Sequence, residues 1–172
     1  MMRTFGWPEF LFILEAAKWT IALSAIAFAG GSIVGLMVAL ARTAESRVLQ
    51  FAATVFTQIF QGTPLLLQLF LVFFGAPILG LDINPWLAAA AALILNSGAF
   101  LGEIWRGCIQ AVPRGQLEAA QALSLSYYWR MRDVVLPQAM KIAVAPTVGY
   151  LVQIIKGTCL LYTSPSPRDV EE

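Results

Sequence analysis

The sequence predicts an all-α fold, a polytopic bundle of transmembrane helices, and three observations lead there. Of its 172 residues, 59% are hydrophobic and 12% charged, where soluble domains average about 45–50% and about 25%; the mean hydropathy is +0.74. The charges are spaced so that the uncharged runs between them approach or exceed the roughly 20 residues a helix needs to cross a ~30 Å hydrocarbon core. The basic residues fall in alternate connecting segments, as in a chain threaded repeatedly through a bilayer.

Residues 1–18 set Phe5, Trp7, Phe10, Leu11 and Leu14 beside Arg3, Glu9, Glu15 and Lys18, the composition of an interfacial amphipathic helix. A cleaved signal peptide is the competing reading, and Glu9 and Glu15 interrupt the apolar region it would need. The first span covers residues 19–41, between Lys18 and Arg42, with Gly30, Gly31 and Gly35 as small positions that let a neighbouring helix approach. The next uncharged run, 48–81, is too long for one helix and is interrupted by Gln61-Gly62-Thr63-Pro64. It predicts a lead-in helix, a kink at Pro64 and a second span over 65–74.

Residues 75–85 carry Pro77, Gly80, Asp82, Asn84 and Pro85, a loop composition, after which Trp86 anchors a third span over 86–112 that Pro113 ends. The last run, 142–155, gives a helix of only about 21 Å. A fourth span must therefore contain Lys156 and continue toward Tyr162. Arg42 and Arg47 lie between spans one and two, and Arg106, Arg114, Arg130, Arg132 and Lys141 between spans three and four, while 75–85 has no basic residue. Those two connections are therefore expected in the cytoplasm, with the N-terminus outside.

Composition also excludes functions. Histidine is absent, which removes the commonest general base and nitrogen metal ligand; no metal site is expected. Cys108 and Cys159 sit in apolar sequence without a CxxC partner and read as small buried hydrophobes; Met37, Met131 and Met140 read as packing residues. A net charge of +1 gives no electrostatic case for nucleic acid. A membrane-embedded enzyme would need several polar groups at one depth, and Asn96 and Glu103, seven residues apart on one helix face, come nearest. Intramembrane ionisable groups are candidates for a solute path, so Asn96, Glu103 and Lys156 are the path candidates. The competing readings are a local ion pair of Glu103 with Arg106 at the interface, and Lys156 snorkelling to the outer surface.

Residues 113–141 are the extended stretch that does not suit lipid. Leu117, Ala120 and Leu123 recur at helical spacing, Glu118 falls in the expected first turn, Ser126 is placed to cap a second helix, and Pro137 to terminate it. Tyr127, Tyr128 and Trp129 have the character of anchors for a partner's groove. A surface hairpin lying on the membrane is the alternative.

The spacing Glu118-Ala119-Ala120, then Ser124, then Val134 and Leu136-Pro137 resembles the EAA loop of inner-membrane permease subunits in bacterial binding-protein-dependent ABC importers. Gln61-Gly62-Thr63-Pro64-Leu65-Leu66 resembles that family's RGTPLL segment. Leu95-Asn96-Ser97-Gly98-Ala99-Phe100, with Glu103-Ile104 and Arg106-Gly107, resembles its LNSGAY and EIxRG run. Gly115-Gln116 and Lys156-x-Thr158 complete a collinear set over roughly residues 15–160, similar to the polar amino acid uptake branch.

The resemblance implies a permease domain over 19–160, with four spans of a family-typical five. It implies a coupling loop in which Leu117, Glu118, Ala119, Ala120, Leu123, Ser124, Leu136 and Pro137 dock on a cytosolic ATP-binding subunit. It also implies a second permease chain, identical or homologous, and an extracytoplasmic amino-acid-binding protein. The sequence lacks GxxxxGK[ST], so ATP and magnesium are expected in the partner ATPase and no cofactor in this chain. The resemblance places the chain in the bacterial inner membrane.

Three departures stand out. Ser124 replaces a glycine that would tolerate a left-handed turn, at a cost of ~1–2 kcal/mol. Gln61 stands where the family has arginine. Residues 161–172 turn polar and proline-rich where the family continues into a fifth span. That tail reads as a truncated or chimeric junction, an expectation that the same stop at the native locus would refute; a truncated permease fragment or a membrane scaffold is the alternative function.

Overall fold

The computed structural model describes residues 7–80 and 84–159. Every element among them is helical: α1 (Trp7–Thr43), α2 (Arg47–Gly62), α3 (Leu65–Ile78), α4 (Pro85–Gln110), α5 (Arg114–Ala122), α6 (Tyr127–Trp129), a π-helical turn (Arg130–Val135) and α7 (Leu136–Cys159). Three stretches are long and apolar enough to cross a membrane, Ala17–Thr43, Pro85–Gln110 and Tyr127–Thr158. The pair α2 and α3 makes a fourth if the bent pair counts as one span.

α1 and α4 run parallel. Trp19 meets Trp86 at one end, with ring centroids 5.0 Å apart, and Arg42 meets Glu103 toward the other. Between them the backbones nearly touch. A Cβ added to Gly31 would lie 2.6 Å from Ser97 Cβ, one on Gly98 2.5 Å from Val34 Cγ1, and one on Gly102 2.6 Å from Val38 Cγ1. Small residues at such a seam give van der Waals contact where lipid supplies no hydrophobic drive between helices. α7 returns antiparallel: Ala139 packs with Ala39 and Ile109, Ile154 with Leu23 and Leu93, and the buried Thr158 hydroxyl is 2.7 Å from that of Ser24. The expected common direction of spans one and three, and the return of span four, are therefore present.

Residues 7–18 run without a break into the first span, as one helix α1. Three expectations are corrected. The expected lead-in helix and break at Pro64 are present, but the two helices are bent by 102° and residues 65–74 do not carry the second span by themselves. Pro64 drives Thr63 to extended geometry (φ −111°, ψ 138°), so α3 starts on a new axis, and neither α2 with 16 residues nor α3 with 14 spans a bilayer alone. The loop expected at 75–85 is helical through Ile78, with Pro77 inside its last turn. Pro137 terminates nothing, because helical structure continues from Tyr127 to Cys159. The carbonyl four residues before a proline normally suffers the clash; here it belongs to Asp133, inside the π turn, where the ladder is already opened.

The expected tail 161–172, the approach of span four to Tyr162 and residues 1–6 of the N-terminal segment lie outside the described residues, as does the side chain of Cys159.

Candidate functional site

The break between α2 and α3 builds a polar site inside the apolar bundle. Helix α2 ends at Gly62 and leaves terminal carbonyls without helical partners. Gln68, buried one turn into α3, satisfies them: its Nε2 lies 2.7 Å from Phe60 O, 3.0 Å from Thr63 O and 2.8 Å from Thr63 Oγ1. Its Oε1 in turn accepts from Asn96 Nδ2 of α4 at 3.1 Å. Gln61 Nε2 donates to Ala99 O at 3.2 Å, so two amides tie the break to α4. Beside this network lies a cavity of about 390 Å³ whose lining includes Thr63, Asn96, Ser97, Tyr150, Gln153 and Lys156. The Phe100 and Tyr150 rings stack at 5.4 Å on its wall. Hydroxyls, amides and one ammonium in an apolar surround suit a small polar solute with a carboxylate.

A second polar cluster stands about two helical turns along the same face of α4. Glu103 pairs through Oε2 with Arg42 Nη1 of α1 at 2.6 Å and through Oε1 with Arg106, whose Nε is at 3.0 Å. Arg42 also donates to the buried Thr57 Oγ1 of α2 at 3.0 Å. Both carboxylate oxygens are occupied, and the cluster pins α1, α2 and α4 together. A larger groove of about 600 Å³ between α1, α4 and α7 is almost wholly apolar, lined by Ile33, Leu36, Trp105, Cys108, Met140 and Val144 among others, and offers a solute no polar anchor.

The third feature is the hairpin at the Arg42 end. Helix α5 begins after Pro113, which occupies its N-cap, so Glu118 lies beyond the first turn, not within it as the spacing suggested. Leu117 and the buried Ala120 face the bundle, where Leu117 packs on the cluster of Val112, Val135 and Ala139. Glu118, Ala119 and Leu123 are exposed, Leu123 at 74%. The helix ends in a Schellman motif: Leu125 N–H donates to Ala120 O at 3.1 Å and Ser124 N–H to Gln121 O at 2.8 Å. Ser124 has φ +56°, the one non-glycine residue in the left-handed region among those described. Ser126 holds the next N-cap without a side-chain hydrogen bond.

The structure thus brings Asn96 and Lys156 to one cavity and leaves Glu103 outside it, in an ion-pair cluster. It sets Glu118, Ala119, Leu123, Ser124 and Pro137 on the exposed surface, Leu117 and Leu136 part-buried, and Ala120 in the interior. Asn96 and Glu103 share a face but have separate partners. Sequence reasoning missed Gln68, Arg42 and Thr57. Gln68 carries a readable signal, as the one polar side chain in the apolar run 65–74.

Fold and site define a polytopic helical membrane protein with a polar cavity at a broken helix. Residues 31–164 match the family described as binding-protein-dependent transport system inner membrane component. The chain belongs to this family and is a transport subunit. It is 38% identical over 156 residues to the putative glutamine transport system permease protein GlnP of Rickettsia felis, covering 90% of this chain and 72% of that one. It is 35% identical to the glutamine transport system permease protein GlnP of Escherichia coli K12, covering 90% and 71%. Among solved structures it resembles an amino acid ABC transporter crystallised with histidines, with TM-score 0.82, 29% identity and coverage of 93% and 77%. The inward-facing methionine transporter MetNI, at TM-score 0.76, 21% identity and coverage of 91% and 76%, shares the fold.

Proposed function

We propose that this chain is the permease subunit of an ATP-driven importer of polar amino acids, and that it couples to a cytosolic ATPase through α5. Relatives named as glutamine permeases, matched along 90% of the chain, support the substrate class. The cavity beside Asn96, Tyr150 and Lys156 supports a path for a zwitterion, the ammonium of Lys156 facing the solute's carboxylate. Much of the selection rests with an extracytoplasmic binding protein, and a second permease chain, identical or homologous, completes the path. The N-terminus lies outside, so that α5 faces the cytosol.

One observation carries the coupling assignment. In a chain otherwise built for lipid, α5 is a short polar helix held to the bundle by Leu117 and Ala120, with Glu118, Ala119 and Leu123 turned outward. An exposed leucine beside a carboxylate and an alanine too small to obstruct contact suits a groove on a partner. ATP and magnesium belong to that partner, whose hydrolysis drives the cycle. The test is co-purification from detergent of this chain with the ATPase encoded beside it. The unaltered chain should retain the ATPase and Glu118→Lys should release it. Equal recovery with both would sink the assignment.

A further inference from the structure

We propose that Tyr127 is the positioning residue that carries movement of the α5 hairpin to the corner between α1 and α2, and from there to the cavity; this rests on the coupling role of α5 argued above. The Tyr127 hydroxyl donates to the main-chain oxygen of Thr43 at 3.0 Å, across 84 residues of sequence. Thr43 is the last residue of α1, so this oxygen is one of the terminal carbonyls that lack a helical partner. The guanidinium of Arg130 lies 5.6 Å from the centre of the Tyr127 ring and 3.7 Å from Glu45, a second connection from the ring's surroundings to the same corner.

The corner leads inward. Arg42, adjacent to Thr43, bonds Thr57 of α2 and Glu103 of α4. One turn beyond Thr57, the carbonyl of Phe60 and the side chain of Gln61 meet Gln68 and α4 at the break that borders the cavity. A displacement of Thr43 therefore acts, through the adjacent Arg42, on α2 at Thr57, little more than a turn before the end that closes the polar site.

What singles out the tyrosine is the π turn, Arg130–Val135, that begins three residues after it, at the end of α6. A π turn holds one residue more than an α turn and can return it to the α register, which gives the two discrete arrangements that coupling between distant sites requires. Flexing there uncouples α6 from α7, so α7 alone is a poor route for the motion. The hydroxyl bond to Thr43 remains as a direct connection from hairpin to corner.

The test uses the importer assembled in proteoliposomes with its ATPase and binding protein, with L-glutamine as the solute, and compares Tyr127→Phe with the unaltered chain. The substitution removes one oxygen and keeps the ring. Stimulation of ATP hydrolysis by the loaded binding protein should fall about fivefold or more, the range of ordinary coupling between sites. Recovery of the complex and basal hydrolysis should stay unchanged. Full stimulation in Tyr127→Phe, with Glu118→Lys releasing the ATPase, overturns the tether alone. Loss of the complex in Tyr127→Phe would make the bond merely structural and also overturn it. An ATPase that stays bound to Glu118→Lys removes the coupling reading, and the tether with it.

Discussion

Asn96 Nδ2 donates across to the broken helix twice, to Gln68 Oε1 at 3.1 Å and, at the longer distance of 3.5 Å, to Phe60 O, and Asn96 and Gln68 carry unequal loads. Gln68 also serves Phe60 and Thr63 at the end of α2. Leaving such carbonyls unpartnered costs about 1–3 kcal/mol each, whereas a single interhelical bond in a membrane averages about 0.6 kcal/mol. Gln68→Leu should therefore lower unfolding stability in detergent by about 2–3 kcal/mol, and Asn96→Leu by clearly less. Equal losses from the two variants would show that the break is capped in some other way.

At the end of α5, Ser124 holds φ +56° in a conformation that costs an L-residue ~1–2 kcal/mol and glycine little. After the greater freedom glycine gains in the unfolded chain, Ser124→Gly should stabilise the hairpin by about 1 kcal/mol. Ser124→Val should destabilise it. Hydrogen exchange of the Leu125 amide, which donates to Ala120, reads the local effect; faster exchange in the glycine variant would contradict it.

The α1–α4 seam gives a contrast within one helix. Gly98→Leu drives a side chain into Val34, whose Cγ1 already lies 2.5 Å from the Cβ position, whereas a Cβ on Gly107 meets nothing within 4 Å. Gly98→Leu should cost about 3 kcal/mol or more through overpacking and lower the monodisperse yield. Gly107→Ala should be neutral or gain up to about 1 kcal/mol from helix propensity. Size-exclusion profiles and melting temperatures of the two variants check both.

Removing the carboxylate charge at Glu103 leaves Arg42 and Arg106 facing one another without a counter-ion. Their side chains are 19% and 22% exposed and that of Glu103 is 32%, so the loss should stay below the 3–5 kcal/mol of fully buried pairs. About 2 kcal/mol is expected for Glu103→Gln, partly restored at high salt as the arginines are screened. A stability unchanged by the substitution at low salt would show that the cluster holds nothing together.

The positions of the long spans were legible because uncharged length is a local property: 19–41 and 86–112 fall within α1 and close to α4. The left-handed turn at Ser124 was legible because the family pattern marks that position as glycine. The 102° bend was not, since Pro64 announces a break but the direction of the next helix depends on Gln68 finding Phe60, Thr63 and Asn96. Pro137 misled because a proline's local penalty is read against an α ladder, and the preceding π turn does not keep one. Arg42 and Thr57 lay far from Glu103 in sequence, so Glu103 could be assigned Arg106 as a neighbour but not its longer-range partners.

The glycine seam constrains where the protein can open. With Gly31 against Ser97, and Val34 and Val38 set into the notches at Gly98 and Gly102, α1 and α4 interlock too closely to slide, so separating them would forfeit the whole contact at once. The two helices behave as a single stiff strut. Doorways for a solute must then lie along the more loosely held α3 and α7, which flank the cavity with Leu65 on one side and Tyr150 and Gln153 on the other.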